Sequence, residues 1–104
     1  MAETAFRSVA DLAATTLTSV HTFTTDGTAN IRLVNRTSAT ITVRVAIIDG
    51  GPTGVADEDY IEYDVPLPAN GVLLDTGEPG VAAEQVCAYA SATGVSVRVS
   101  GWEV

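Results

Sequence analysis

Hydrophobic and polar positions alternate with a period of two through the middle of this chain. Ile41, Val43, Val45 and Ile47 fall on one parity, and Thr40, Thr42, Arg44 and Ala46 on the other. A strand sends successive side chains to opposite faces, and β-branched residues suit a pleated surface with one buried side. Upstream, Ile31 and Leu33 alternate with Asn30, Arg32 and Val34, which predicts a second strand. The five residues between them, Asn35-Arg36-Thr37-Ser38-Ala39, are short and rich in turn formers. The two strands are therefore expected to pair as a central antiparallel hairpin.

The same reading extends to both sides. Leu17, Ser19, His21 and Phe23 share a parity over 17–25, and Asp26-Gly27 is a turn signal. Asp49-Gly50-Gly51-Pro52-Thr53-Gly54 breaks the pattern and reads as a surface loop; no Lys and no helix follow it, as a phosphate-binding loop would require. In the strand at 57–65, Ile61, Tyr63 and Val65 are expected to face the core. Val72–Leu74, Gln85–Ala90 and Val95–Ser100 complete the set, separated by Pro-, Gly- and Asn-containing turns. Seven or eight short strands at this spacing predict an all-β fold, an antiparallel β-sandwich of Ig-like or jelly-roll order. Trp102, just beyond the last strand, is expected to pack against it.

Residues 1–16 stand apart as an N-terminal arm ahead of a sandwich domain at 17–104. Phe6, Val9, Ala10 and Ala13 have the spacing of one side of a short helix. The alternatives are a poorly ordered terminus or an arm that orders against a partner, with Phe6, Val9 and Leu12 as its apolar contacts.

Composition supports sheet over helix: Thr and Val occur fourteen times each, and there is no lysine. A chain of 104 residues makes one domain and folds without a disulfide, which its single cysteine could not form internally in any case. The formal charge of −8 argues against binding nucleic acid. No apolar run approaches a membrane span, and Glu3 and Asp11 sit where a signal peptide would be basic and apolar, so a protein made in a cytoplasm is expected.

Candidate chemistry is sparse. His21 is the one histidine and lies in no nucleophile motif such as G-x-S-x-G. One His and one Cys far apart do not make a transition-metal site. Asp57, Glu58, Asp59, Glu62 and Asp64 crowd into eight residues, but without the spacing or central glycine of an EF-hand loop. A solvated acidic edge is the expected reading. No catalytic residue, cofactor or metal is expected, and Cys87 reads as a small neutral filler at a strand face or interface.

Four pieces in order, NIRLVNRTSATITVRVAI, DYIEYDVPLPANG, VAAEQVCAYASA and VSVRVSGWEV, resemble the small virion proteins of tailed bacteriophages. The resemblance covers residues 17–104. It implies a non-catalytic β-sandwich of the particle, similar to capsid decoration (cement) proteins or to parts of tail fibres and baseplates. A homotrimer bound to the major capsid protein on the outside of the head shell is the expectation that follows. A receptor- or carbohydrate-binding sandwich is the reading from another class.

Several strands carry apolar residues on both faces: Val34 beside Leu33, Ile48 beside Ile47, and Cys87 and Tyr89 beside Val86 and Ala88. A small sandwich has one interior, so the second set is expected to meet another subunit. Cys87 and Tyr89, with Phe6, Val9 and Leu12 of the arm, are the interface candidates.

Overall fold

In a computed structural model, which describes residues 3–104, the chain forms eight strands. They are β1 (Thr4–Asp11), β2 (Thr18–Thr22), β3 (Gly27–Asn35), β4 (Ile41–Asp49), β5 (Tyr60–Leu67), β6 (Val72–Gly80), β7 (Glu84–Ala90) and β8 (Val95–Glu103). Two short 3-10 turns, Pro52–Gly54 and Asp57–Asp59, lie between β4 and β5. The strands make two four-stranded antiparallel sheets, ordered β1-β8-β3-β6 and β2-β7-β4-β5. The first strand pairs with the last, the second with the seventh, the third with the sixth and the fourth with the fifth. This is a long hairpin rolled around a core, the jelly-roll order of the two that the sequence allows.

The alternation along β3, β4 and β8 sends one set of side chains into that core. Ile31, Leu33, Val43, Val45, Val86, Val95, Val97 and Val99 are buried between the sheets, with Phe23 and Leu67 closing its ends.

The expected central hairpin does not exist. β3 and β4 belong to different sheets, and residues 36–40 carry the chain across the sandwich. Only β4 and β5 are paired neighbours in sequence; every other connection between successive strands crosses from sheet to sheet. Asn35 makes the β3–β4 corner. It is fully buried, its amide donates to the carbonyls of Ala39, Leu67 and Pro68, and its Oδ1 accepts from the backbone and hydroxyl of Thr37. Backbone bonds from Asn35 to Gly71 and from Arg36 to Gly94 gather three such corners at one end. Gly94 has φ 109°, and a side chain there would run into Thr37, so both backbone and space call for glycine.

The expected arm is an integral strand. β1 pairs with β8 over its whole length, from Thr4 opposite Glu103 to Asp11 opposite Ser96. Backbone pairing along an open strand satisfies every second amide at once, which a two-turn helix of this weak sequence does not match. Leu12 is buried in the main core, Phe6 and Ala10 pack against it, and Val9 points to solvent. The first two positions of the expected arm lie outside the described residues.

β5 departs from its expected alternation. Asp64 adopts a left-handed backbone (φ 51°), and the pairing with β4 slips on both sides of Val45. Val65 and Leu67 therefore face the core while Ile61 and Tyr63 are exposed. A bulge resets which side each residue takes.

Candidate functional site

Four polar or surface arrangements emerge from this fold, and each joins residues distant in sequence. The first lies at the open edge where β1 and β2 meet. His21 Nδ1 is 3.3 Å from the Ser8 hydroxyl, and Nε2 is 2.9 Å from Glu103 Oε2. Glu103 Oε1 accepts from the backbone amides of Thr24 and Thr25 and from the Thr24 hydroxyl. Burial alone would raise this carboxyl, but the donors from Thr25 and Thr24 and from His21 outweigh it and hold the group down at about 2. The Phe6 ring lies flat on the imidazole at 3.9 Å between centroids, and Phe23 meets it edge-on at 5.1 Å.

Hydroxyl, imidazole and carboxylate in a row are the parts of a hydrolytic triad. Here they join the first, second and last strands. One carboxylate oxygen is held by two backbone amides, one face of the imidazole is covered by Phe6, and Ser8 sits inside a paired strand. Positions 8, 21 and 103 share no local motif, so the sequence offers no sign that they meet.

The second arrangement closes the outer face of the β2-β7-β4-β5 sheet. Ala46, Ile48 and Cys87 form a small buried cluster there, covered by Leu17, Val55 and Tyr60. Tyr89 lies under the Arg44 guanidinium, 4.6 Å from its ring centroid, and Tyr63 lies 4.3 Å from the same group. Arg44 Nε donates to Asp64 Oδ1 at 2.6 Å, which keeps the guanidinium firmly protonated and fixes it between the rings. Cys87 is thus fully buried and its thiol is pushed up to about 11 by burial. Leu17 and the chain's own β4–β5 connection cover Ile48 and Cys87, two of the apolar residues expected to meet another subunit, whereas Val34 lies on the opposite, open sheet face. Of the interface candidates, Cys87 and Leu12 have no surface to offer, Phe6 and Tyr89 are partly covered, and Val9 is exposed.

At the far edge, Glu62 of β5 lies near Asp75 and Glu78 of β6, so carboxylates from the two sheets face each other. Burial, reinforced by Asp75 and Glu78, holds the Glu62 carboxyl above its usual range. Asp75 Oδ2 is buried without a hydrogen-bond partner among the described residues. Among those residues, no three His, Cys, Asp or Glu side chains form a group that could hold a metal ion.

The last arrangement is the outer face of the β1-β8-β3-β6 sheet, which nothing among the described residues covers. Strand register sets Val9 opposite Arg98, Arg98 opposite Arg32, and Arg32 opposite Leu74, a single line across all four strands. All four side chains are exposed. Arg7 stands on the same face of β1, and Trp102 on the same face of β8 is half exposed rather than packed on the sandwich. Among the described residues Arg7, Arg32 and Arg98 make no ion pair, whereas Arg36 pairs with Asp11 and Arg44 with Asp64. A shallow depression of about 430 Å³ runs beside Arg32 and Arg98, bounded by Val9, Asp11, Val34 and Ser96. The alternation in β3 and β8 does mark Arg32 and Arg98 as outward-facing. That they are neighbours follows only from the register.

No protein-family model, curated protein or solved structure matches this chain. The class the geometry defines is a jelly-roll β-sandwich with one outer face partly covered by its own loop and the other left open among the described residues. No helix among the described residues is long and apolar enough to cross a membrane.

Proposed function

We propose that this chain is a non-catalytic structural protein of a tailed-bacteriophage virion. In this reading it is a decoration protein that self-associates as a homotrimer and binds the major capsid protein on the outside of the head shell. Neither nucleic acid nor membrane is a partner. The observation that carries the reading is the open, arginine- and apolar-bearing outer face of an eight-stranded jelly roll. Jelly rolls serve viral capsids as well as lectins and cupins, so the fold supports the reading by analogy, and the resemblance of 17–104 to phage virion proteins narrows it. The non-catalytic part of the reading is supported by the Ser8–His21–Glu103 row, where Glu103 also holds Thr24 and Thr25 and Phe6 covers one face of the imidazole.

The test is gold-labelled antibody raised against the purified chain and applied to particles of the phage that encodes it. Label on heads supports decoration, label on tails replaces it with a fibre or baseplate role, and unlabelled particles overturn both.

One observation favours a second reading, a receptor- or carbohydrate-binding sandwich. Tyr60, Tyr63 and Asp57 line a depression of about 360 Å³, with Tyr63 exposed beside acidic oxygens. Aromatic faces with nearby carboxylates suit sugar rings. Binding to a glycan array that is lost in Tyr63→Ala would establish it.

A further inference from the structure

The open sheet face is at odds with the rest of the molecule. The chain carries thirteen acidic residues and five arginines, yet three of those arginines stand on this one face. Arg32 and Arg98 are directly opposite each other on β3 and β8 and form no ion pair among the described residues; Asp11, at the rim of the same depression, is paired with Arg36. Like charges placed across a strand pair destabilise a sheet. The flanking positions, Val9 and Leu74, are exposed apolar side chains, 66% and 49% accessible. An unpaired cationic row with apolar ends is the surface that an acidic, partly apolar partner would neutralise and desolvate.

The chain itself supplies such a partner. The turn Asp57–Asp59 presents exposed Asp57 and Glu58 on the opposite sheet's side of the molecule, next to exposed Ile61 and Tyr63. Arg44 is engaged by Asp64 and leaves these two carboxylates unpaired among the described residues. The acidic turn cannot reach the arginine row of its own molecule, because the row lies on the outer face of one sheet and the turn leads into the edge strand of the other.

We propose that the outer face of the β1-β8-β3-β6 sheet is a docking surface for a second copy of this chain, with Arg32 and Arg98 receiving Asp57 and Glu58 of that copy. The two surfaces differ, so the contact is head-to-tail, and such a contact repeats until it closes into a ring. This rests on the self-association part of the proposed function and gives it a surface, replacing the Cys87–Tyr89 face that the chain covers itself. Desolvated guanidinium–carboxylate pairs give the contact its register, and Val9, Leu74, Ile61 and Tyr63 give it apolar area.

Light scattering coupled to size exclusion, at micromolar to hundred-micromolar protein, tests it. The wild-type chain is expected above its monomer mass of 10.7 kDa. It should dissociate in about 1 M salt, where the screening length falls to about 3 Å. Arg32→Glu with Arg98→Glu, and separately Asp57→Arg with Glu58→Arg, should each weaken association roughly tenfold or more. The chain carrying all four reversals should associate again, since both charge rows are then exchanged. Circular dichroism confirms that each variant is folded, and Arg32→Ala with Arg98→Ala gives a milder version should the reversals unfold it. A wild-type monomer at the highest concentration, or oligomers untouched by either pair of reversals, overturns the proposal. So does a four-fold reversal that stays monomeric. A monomeric wild type whose arginine row instead binds a labelled oligonucleotide also overturns it, in favour of a polyanion face. Head labelling of particles is scored separately, so decoration can stand or fall without regard to this contact.

Discussion

His21 Nε2 and Glu103 Oε2 lie 2.9 Å apart, joining the second strand to the next-to-last residue of the chain. The bond closes the roll at its open edge, because Glu103 belongs to the strand that also pairs with β1 and β3. Its other oxygen holds the β2–β3 corner through Thr24 and Thr25. One carboxylate therefore links three parts of the jelly roll.

This makes stability dependent on acid in a definite direction. The Glu103 carboxyl sits at about 2 in the folded chain against an ordinary 4.5. Its contribution is complete above the ordinary value and is lost as pH falls from there toward 2. Urea midpoints measured from pH 6 down to 2.5 should drop across this window. Glu103→Gln should cost about 2 kcal/mol at neutral pH and flatten that drop. A variant with the same acid profile as wild type would assign the loss to other groups.

Asn35 is the second point on which the fold depends. Its amide fills three carbonyls and its oxygen two donors, all at the corner where β3 leaves one sheet and β4 enters the other. Asn35→Ala leaves buried backbone carbonyls unpartnered and should cost about 3 kcal/mol or more. Asn35→Asp keeps the shape but sets a carboxylate against those carbonyls, and should be at least as damaging. Equilibrium unfolding in urea reads both. A loss below about 1 kcal/mol would mean that the corner holds without the side chain.

The N-terminal segment behaves as core. Leu12 is 3% accessible and Phe6 stacks on His21. Leu12→Ala should cost about 3 kcal/mol through lost burial and the cavity left behind. A chain lacking its first twelve residues exposes the β8 edge and should lose cooperative thermal unfolding or aggregate. If that chain remained a folded, well-behaved domain, β1 would be an accessory to the roll.

Cys87 gives a chemical readout of the covered face. Its thiol is fully buried and raised to about 11, so the thiolate that reacts is scarce at neutral pH. An Ellman-type reagent should label the native chain only at the rate of its opening, and immediately in denaturant. Fast labelling of the native protein would place Cys87 at the surface and reopen that face as an interface.

The two-residue alternation in 30–34, 41–47 and 95–100 was enough to assign strands and to say which side of each faces a core. Burial of one parity depends only on side-chain chemistry and pleat. Composition and turn residues carried the all-β sandwich as well. Which strands pair was not legible, and the expected β3–β4 hairpin was wrong for that reason. Asn35-Arg36-Thr37-Ser38-Ala39 has the chemistry of a tight turn, and it turns tightly, but across the sandwich; only the distant carbonyls of Leu67 and Pro68 that Asn35 binds determine the direction. The same limit hid β1, whose pairing partner lies more than eighty residues away at the other end of the chain. It also hid the loop that covers Cys87, and the line from Val9 through Arg98 and Arg32 to Leu74. A strand's face is a property of its own residues, whereas its neighbours are set by how the whole chain rolls up.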